Sequence, residues 1–156
     1  MMNRKPIRHS LVTMSAVMMP EHANPAGNVH GGEIMKLMDT AAGVVARRHT
    51  RANVVTARVD QLEFHHPVRI GDLVTCHGRL TFTGRSSMEI SVSVSVEDLS
   101  NEEPEKIALT AFFTLVSLDA NGKPQPVPEA ATEDEEEKHL FLEGQKRYLS
   151  RKKSGA

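Results

Sequence analysis

Apolar residues recur along this chain with two different periods, and the periods predict one central helix and five strands. The segment 34–46 is mostly Ile, Leu, Met, Val and Ala, so the helix predicted over residues 31–48 must bury more than one side. A loop rich in Pro, Gly and Asn, residues 20–30, precedes that helix. Residues 9–19 alternate between apolar and polar side chains, which predicts a first strand that ends at Pro20.

Four further runs after the helix have the alternation of β-strands. In the first run the apolar positions change parity between Val59 and Leu62, which predicts a β-bulge near Asp60 and Gln61. The second run covers residues 73–83. Its apolar side is predicted to carry four residues: Val74, Cys76, Leu80 and Phe82.

The last two strands differ in how many of their faces are apolar. Residues 88–97 alternate between apolar residues and Ser or Glu. This pattern predicts a sheet with one face packed against the core and the other face exposed to solvent. Residues 106–118 are apolar on both faces, as expected of an interior strand. After a Pro-rich connector, Thr132 and Glu135 form a capping-box pattern that predicts a helix over residues 133–152.

This order of elements predicts an α+β fold in which a five-stranded antiparallel sheet wraps around a long central helix. We assign residues 1–128 to this domain and residues 129–156 to a C-terminal helical tail. The acidic run 133–137 is expected to be a solvated helix start. Because a sheet around a single helix leaves edges and apolar helix surface uncovered, we expect a homodimer.

Composition excludes several classes of partner. A chain of 156 residues with a net charge of -1, no Trp and one Tyr has neither the basic excess nor the stacking surface that nucleic-acid binding requires. No apolar run is long enough to span a membrane. Thr13 and Ser15 interrupt the apolar stretch 11–19, which therefore does not resemble a signal peptide. Together with the single cysteine, Cys76, this predicts a cytoplasmic protein.

The motifs of several enzyme classes are missing. The chain has no G-x-S-x-G, no H-E-x-x-H, no paired C-x-x-C, no P-loop and no dinucleotide-binding fingerprint. His65 and His66 are adjacent and would point to opposite faces of a strand, so we expect no metal site. Cys76 lies within a predicted strand and is interpreted as a core residue. We expect no cofactor.

Gly31 and Gly32 stand at the predicted start of the central helix. Backbone N–H groups at a helix start lack partners within the helix, and the helix dipole favours negative charge there. Two consecutive glycines also let a bound group approach the backbone closely. These amides are therefore candidates for an oxyanion hole. The alternative is that the glycines only begin the helix or let it pack tightly.

Asp39 is the one carboxylate inside the apolar part of this helix. Its position on the helix places it beside Met35, Ala42 and Ala46. An ionised carboxylate is costly to hold there unless it has hydrogen-bond or charge partners, or serves a functional role. Surroundings of low polarity would raise the pKa of Asp39, which suits a general base that works near neutral pH.

Asp39 lies about two turns, roughly 10 Å, from the start of its own helix. One molecule therefore cannot easily bring this carboxylate to its own oxyanion hole. Two helices side by side in a dimer would place Asp39 of one subunit near the glycines of the other. The alternative for Asp39 is a structural ion pair, for instance with Arg47 or Arg48 of a neighbouring subunit.

Several motifs follow one another in a specific order between residues 24 and 90. They are N-P-A-G-N-V-H-G-G-E-I-M-K-L-M-D-T-A-A from Asn24, V-V-T-A-R-V-D at 54–60, F-H-H-P-V at 64–68 and G-R-L-T-F-T-G-R-S-S-M-E-I at 78–90. In this order the chain resembles the hotdog-fold acyl-CoA thioesterases, the group of the brain-type cytosolic acyl-CoA hydrolases and their short bacterial relatives. The likeness covers roughly residues 8–120.

The resemblance implies hydrolysis of acyl-CoA to a fatty acid and CoA. It also implies dimers with a joined sheet and composite sites, and commonly a trimer of such dimers, which is a hexamer. The active-site Asn of the family matches Asn24 and its carboxylate matches Asp39, contributed by opposite subunits. The family's CoA-contacting turn matches four residues here: Gly84, Arg85, Ser86 and Ser87. Arg58 is a further candidate by its place in the T-A-R-V-D segment, and His30 in the loop is a candidate for contact with the substrate.

Thioester chemistry is consistent with this assignment, because the leaving thiolate needs no strong general acid. We expect Asp39 to activate water, with direct nucleophilic attack as the less favoured variant, and Asn24 to orient water or substrate. Arg85 is expected to pair with a phosphate of CoA. His30 is equally consistent with a packing or loop-bonding role.

Two alternatives from other functional classes remain open. One is a hotdog dehydratase or hydratase that acts on acyl thioesters; such an enzyme would need a catalytic His, for which His30 is the nearby candidate. The other is a sensor that binds acyl-CoA without turning it over.

Overall fold

The computed structural model describes residues 3–154 and has one main sheet and two α-helices. The helices are α1 (Gly31–Thr50) and α2 (Glu135–Lys153). Short 3₁₀ helices cover Ile7–Ser10 and Pro20–His22. In chain order the strands are β1 (Lys5–Pro6), β2 (Val12–Val17), β3 (Asn53–Phe64), β4 (Leu73–Thr83), β5 (Ser87–Glu97), β6 (Lys106–Leu118) and β7 (Ala130–Ala131).

The main sheet has the strand order β2-β4-β5-β6-β3, and every neighbouring pair is antiparallel. Helix α1 contacts all five of these strands, so its buried side and the inner face of the sheet form one core. The predicted α+β hotdog fold is thereby confirmed. Strands β1 and β7 form a separate parallel pair that joins the N-terminal segment to the connector before α2.

The buried side of α1 is made of small and medium apolar residues. Three alanines, Ala41, Ala42 and Ala46, are fully buried and let the helix approach the sheet closely. On the sheet side, a Cβ atom at Gly78 would lie 3.0 Å from methyl groups of both Val12 and Val45. Glycine at this position is therefore what allows β4 to pass directly beneath the helix.

Two bulges interrupt the pairing of β3 with β6. The register shifts between Asp60 and Glu63, where Gln61 has a positive φ of 52°, which confirms the predicted bulge. A second shift, between Thr56 and Arg58, leaves Ala57 without a paired residue. This second bulge was not predicted, and it puts Thr56 and Arg58 on opposite faces of the sheet.

A bulge in β4 makes one sequence prediction wrong. The register shifts between Leu80 and Phe82, so Phe82 does not share the inner face with Val74, Cys76 and Leu80. Its ring lies on the outer face, with its centroid 5.0 Å from that of Phe141 and 5.3 Å from that of Tyr148. The extra residue, Thr81, reverses the alternation from that point.

Helix α2 packs on the outer face of the sheet, mainly against β4. The sheet is therefore covered on both sides in this region, contrary to the prediction from β5. Gly144 makes close packing possible, because a Cβ atom there would lie 2.7 Å from Cβ of Phe82 and 2.8 Å from a carboxylate oxygen of Glu89. No larger residue fits at this crossing unless helix and sheet separate.

The start of α2 also differs from the prediction. Its N-cap is Asp134 rather than Thr132, because the Asp134 side chain accepts a hydrogen bond from the backbone N–H of Glu137. Glu137 is buried rather than solvated. It accepts hydrogen bonds from Nε of Arg8 at 3.0 Å and from the backbone N–H of Glu133 at 2.7 Å. This acidic run therefore ties the C-terminal helix to the N-terminal segment.

Cys76 is buried in the core, as predicted, and burial raises the pKa of its thiol to about 12. Within residues 3–154, neither helix is apolar enough over a sufficient length to cross a bilayer.

His49, near the end of α1, is a buried histidine held by the connector before β7. Its Nε2 lies 2.6 Å from the carbonyl oxygen of Pro128, to which it donates a hydrogen bond, while its Nδ1 is buried without a partner. Burial lowers the pKa of His49; the hydrogen bond to Pro128 opposes this effect in part, and the nearby positive charge of Lys5 adds to it. The imidazole is thus held in its neutral form.

We therefore expect stability to fall on acidification through the ordinary pKa of histidine, near 6.5. Below that pH the unfolded chain binds a proton at His49 that the folded chain does not bind, so stability is lost by up to about 1.4 kcal/mol per pH unit. Urea unfolding between pH 7.5 and 5.5 measures this loss, since carboxylates titrate mostly below that window. His49→Gln should flatten the profile, whereas His139→Gln, at an exposed position of α2, should leave it unchanged.

Candidate active site

The loop before α1 is built around the side chain of Asn24. Its Oδ1 accepts hydrogen bonds from the backbone N–H groups of Ala26 at 3.0 Å and Asn28 at 3.1 Å. The backbone of Asn24 also bonds to Asn28 and Gly27. Because both of these side-chain contacts use the oxygen, the side-chain NH₂ group remains the donor that Asn24 can offer to a ligand.

The start of α1 follows directly after this loop. Nδ1 of His30 accepts a hydrogen bond from the backbone N–H of Gly32 at 3.1 Å and so caps the helix. The N–H of Gly32 is therefore occupied in the single chain, whereas no acceptor is found for the N–H of Gly31 among the described residues. A Cβ atom at Gly31 would lie 3.4 Å from the ring of Phe64, which packs against the helix start.

Asp39 lies on the exposed surface of α1, two turns further along. The single chain therefore does not supply the apolar surroundings predicted for this carboxylate. Its Oδ1 accepts a short hydrogen bond of 2.6 Å from Oγ1 of Thr56 in β3. This bond fixes the orientation of the carboxylate toward the β3 edge of the sheet.

Arg58 is on the other face of the sheet. It forms an ion pair with Asp60, with Nε 2.9 Å from Oδ2 and Nη2 2.9 Å from Oδ1. Arg151 of α2 lies 3.7 Å from the same carboxylate. Arg58 is thus engaged on the outer face and is not brought together with Asp39.

The turn between β4 and β5 contains Gly84, Arg85, Ser86 and Ser87. Backbone hydrogen bonds hold it on three sides: Gly84 N–H donates to Ser87, while Ser117 and Val127 donate to the carbonyl groups of Ser86 and Arg85. The Arg85 side chain is exposed and forms no salt bridge with any residue of the described range 3–154. The turn therefore presents a free guanidinium from a rigid backbone.

Strand register shows which of these residues share an end of the molecule. Thr56 pairs with Leu115, and Leu115 pairs with Met88, one residue beyond the turn. Thr56 and Met88 are thus two strand spacings apart, about 10 Å, and Asp39, which Thr56 contacts, lies at the same end of the sheet as the Gly84–Ser87 turn. Asn24 and Gly31 lie at the other end, about 12 Å from Asp39 along the helix.

Sequence reasoning did not identify Thr56 as a site residue. It selected Arg58 from the same T-A-R-V-D segment, because nothing in the residues themselves signals the bulge at Ala57. Without a bulge, Thr56 and Arg58 would share a face of the strand, so alternation alone could not tell which of them faces Asp39.

No group of three or more His, Cys, Asp or Glu side chains is gathered closely enough to hold a metal ion within residues 3–154.

Comparison with known proteins places the chain in one family. Residues 26–102 match the sequence pattern of the thioesterase superfamily. An uncharacterized acyl-CoA thioester hydrolase of Bacillus subtilis is 39% identical over 130 residues, which are 83% of this chain and 75% of that protein. The chain belongs to the thioesterase superfamily.

Mammalian relatives are more similar but longer. The cytosolic acyl coenzyme A thioester hydrolase of Mus musculus is 45% identical over 147 residues, 94% of this chain. Those residues are 39% of the mouse protein, so this superfamily member spans well under half the length of its mammalian relatives.

Solved structures of the superfamily superimpose along nearly the whole chain. A hexameric acyl-CoA thioesterase in its apo form has a TM-score of 0.91 at 33% identity and covers 99% of this chain and 98% of its own. An acyl-CoA hydrolase from Staphylococcus aureus, in complex with butyryl coenzyme A, coenzyme A and coenzyme A disulfide, has a TM-score of 0.86 at 30% identity, with coverage of 97% and 92%. Both neighbours match α2 as well as the sheet.

Proposed function

We propose that this protein is an acyl-CoA thioesterase that hydrolyses acyl-CoA to a free fatty acid and CoA. The observation that carries the proposal is Asp39, exposed on the central helix α1 and oriented by the Thr56 hydroxyl. The names of the relatives in mouse and Bacillus subtilis and the CoA complex of the Staphylococcus aureus neighbour support it. The word cytosolic in the mammalian names likewise supports a cytoplasmic location.

The active unit in this proposal is a homodimer formed along β3. This strand is an edge of the sheet, and two of its apolar side chains on the helix side remain exposed: Val59 at 38% and Phe64 at 62%. An unpaired edge beside exposed apolar residues is where a second copy adds its own strand. Trimers of such dimers would give a hexamer, the assembly named for the apo acyl-CoA thioesterase.

Antiparallel pairing of β3 with its symmetry copy supports a composite site. In such a pair the Thr56 end of one strand lies opposite the Phe64 end of the other. Thr56 bonds to Asp39, and Phe64 packs on Gly31, within each chain. The two-fold axis therefore brings Asp39 of one subunit toward the helix start and Asn24 loop of the other, which the 12 Å separation prevents within one chain.

Each residue then has a role at the thioester. Asp39 accepts a proton from water as the water attacks the carbonyl carbon, while Thr56 holds the carboxylate in place. The amides at Gly31 and Gly32 of the other subunit stabilise the negative charge that develops on the carbonyl oxygen. The N–H of Gly32 can serve the oxyanion only when its hydrogen bond to Nδ1 of His30 is broken; otherwise the N–H of Gly31 alone stabilises that charge. Asn24 donates through its NH₂ group, and Arg85 pairs with a phosphate of CoA. We assign no role in substrate binding to Arg58.

Release of free thiol from a series of acyl-CoA substrates tests this function directly. We expect turnover for at least one chain length, with kcat between about 1 and 1,000 s⁻¹. A dehydratase or hydratase would instead change the absorbance of a 2,3-unsaturated thioester without releasing thiol, and a sensor would bind acyl-CoA with neither change. Absence of thiol release across all chain lengths would contradict the proposal.

A further inference from the structure

The C-terminal part of α2 lies directly against the Gly84–Ser87 turn. A Cβ atom at Gly84 would lie 3.4 Å from Cε2 of Tyr148. The Tyr148 ring is itself held by Phe82, whose centroid is 5.3 Å away. Helix and turn are therefore parts of one packed unit, in which Tyr148 of α2 lies against the backbone at Gly84.

The last turn of α2 carries two lysines, Lys152 and Lys153, that have no acidic partner within residues 3–154, and Lys152 is the one beside the Tyr148 ring. Nζ of Lys152 lies 5.4 Å from the centroid of the Tyr148 ring, and Lys152 is exposed. Within residues 3–154 neither Lys152 nor Arg85 forms a salt bridge. Four other basic residues of α2 each have an acidic partner: Lys138, Lys146, Arg147 and Arg151.

Arg85 and Lys152, neither of which has an acidic partner within residues 3–154, therefore lie on the two segments that meet at the Tyr148 ring, so positive charge is in excess near the proposed CoA turn. Like charges on neighbouring segments repel one another, and an anion that binds both relieves that repulsion. A nucleotide that carries several phosphate groups supplies such an anion, and a flexible lysine can reach its oxygens as a mobile point charge.

We propose that Lys152, supported by the Tyr148 ring, binds a phosphate of the CoA nucleotide together with Arg85. This inference rests on the proposed function, since it assigns more of the same substrate to the same turn. It makes α2 a part of the substrate site as well as a cover for the sheet. Lys152 acts on the nucleotide end only, so it contributes to CoA affinity and leaves the chemistry at the thioester unchanged.

Calorimetric binding of CoA and of pantetheine, which lacks the nucleotide, tests this role. Lys152→Glu should weaken CoA binding about tenfold, because it replaces one favourable charge contact by a repulsive one. Binding of pantetheine should not change. The difference between wild type and variant should shrink when salt is raised from 50 to 500 mM. Lys138→Glu makes the same charge change at the far end of α2 and should bind CoA as the wild type does.

The same variants separate a failure of this inference from a failure of the proposed function. If Lys152→Glu binds CoA like the wild type while the wild-type protein releases thiol from acyl-CoA, the function stands and the role of Lys152 is wrong. If Lys152→Glu weakens CoA and pantetheine equally, or Lys138→Glu matches its effect, the contact with the nucleotide is also wrong. A wild-type protein that neither binds CoA nor releases thiol contradicts both. Thermal unfolding of each variant checks that α2 remains folded.

Discussion

Replacing Asp39 by Asn is expected to lower kcat for acyl-CoA hydrolysis about a thousandfold or more while CoA binding stays within about twofold. The amide keeps the size of the carboxylate, and its oxygen can still accept the hydrogen bond from Thr56, so the fold does not change. What it loses is the ability to take a proton from water. Thiol-release kinetics and calorimetric CoA binding measure the two quantities separately.

A matched control for this variant is Glu136→Gln, which removes one exposed carboxylate of α2 that pairs with Arg79. Its kcat should remain that of the wild type. Wild-type turnover by Asp39→Asn would remove this carboxylate from the mechanism, and an equal loss in both variants would attribute the effect to net charge.

Mixing two inactive variants tests whether the site is shared between subunits. In a heterodimer of Asn24→Ala with Asp39→Asn, one of the two composite sites keeps both native residues. Random mixing makes about half of the dimers mixed, so roughly a quarter of the wild-type activity should return. A site complete within one subunit would recover nothing, because every chain carries a defect.

The central helix and its loop could be predicted because their signals are local. Apolar content over residues 34–46 requires a helix buried on more than one side, and the glycines at its start mark where it begins. The position of Asp39 on that helix follows from helical geometry alone. Its hydrogen-bond partner does not, because Thr56 faces the helix only through a bulge at Ala57 that no residue preference announces.

The outer face of the sheet was the part that sequence could not predict. Alternation along β5 marks Glu89 as polar but does not say whether water or another side chain meets it. The answer depends on α2, which is separated from β5 by about forty residues of chain and whose own pattern is strongly polar. For the same reason the acidic start of α2 looked solvated, although Glu137 is buried against Arg8.

Glu89→Ala is expected to cost about 2–4 kcal/mol of unfolding free energy, the largest stability effect that the structure indicates away from the apolar core. Only 2% of the Glu89 side chain is exposed, and its carboxylate receives hydrogen bonds of 2.9 and 2.7 Å from Arg147 and one of 2.7 Å from Thr81. The hydrogen bond with Glu89 also raises the pKa of Arg147. Without Glu89, the guanidinium over the Phe112 ring becomes a poorly solvated charge with no partner. Urea unfolding at pH 7 measures the loss.

Two further variants show whether the loss of stability comes from the unpaired charge of Arg147. Glu143→Ala removes the exposed pair with Lys146 on the same helix and should cost less than about 1 kcal/mol. The double variant Glu89→Met with Arg147→Leu removes both charges and keeps much of the volume, so it should recover most of the stability lost in Glu89→Ala. If Glu89→Ala costs no more than Glu143→Ala, the pair between Glu89 and Arg147 does not hold α2 on the sheet.

Helix α2 also carries Lys152. If Glu89→Ala releases this helix from the sheet, the variant should therefore lose the CoA affinity that Lys152 contributes. The packing of the outer face would then be coupled to substrate binding at the turn.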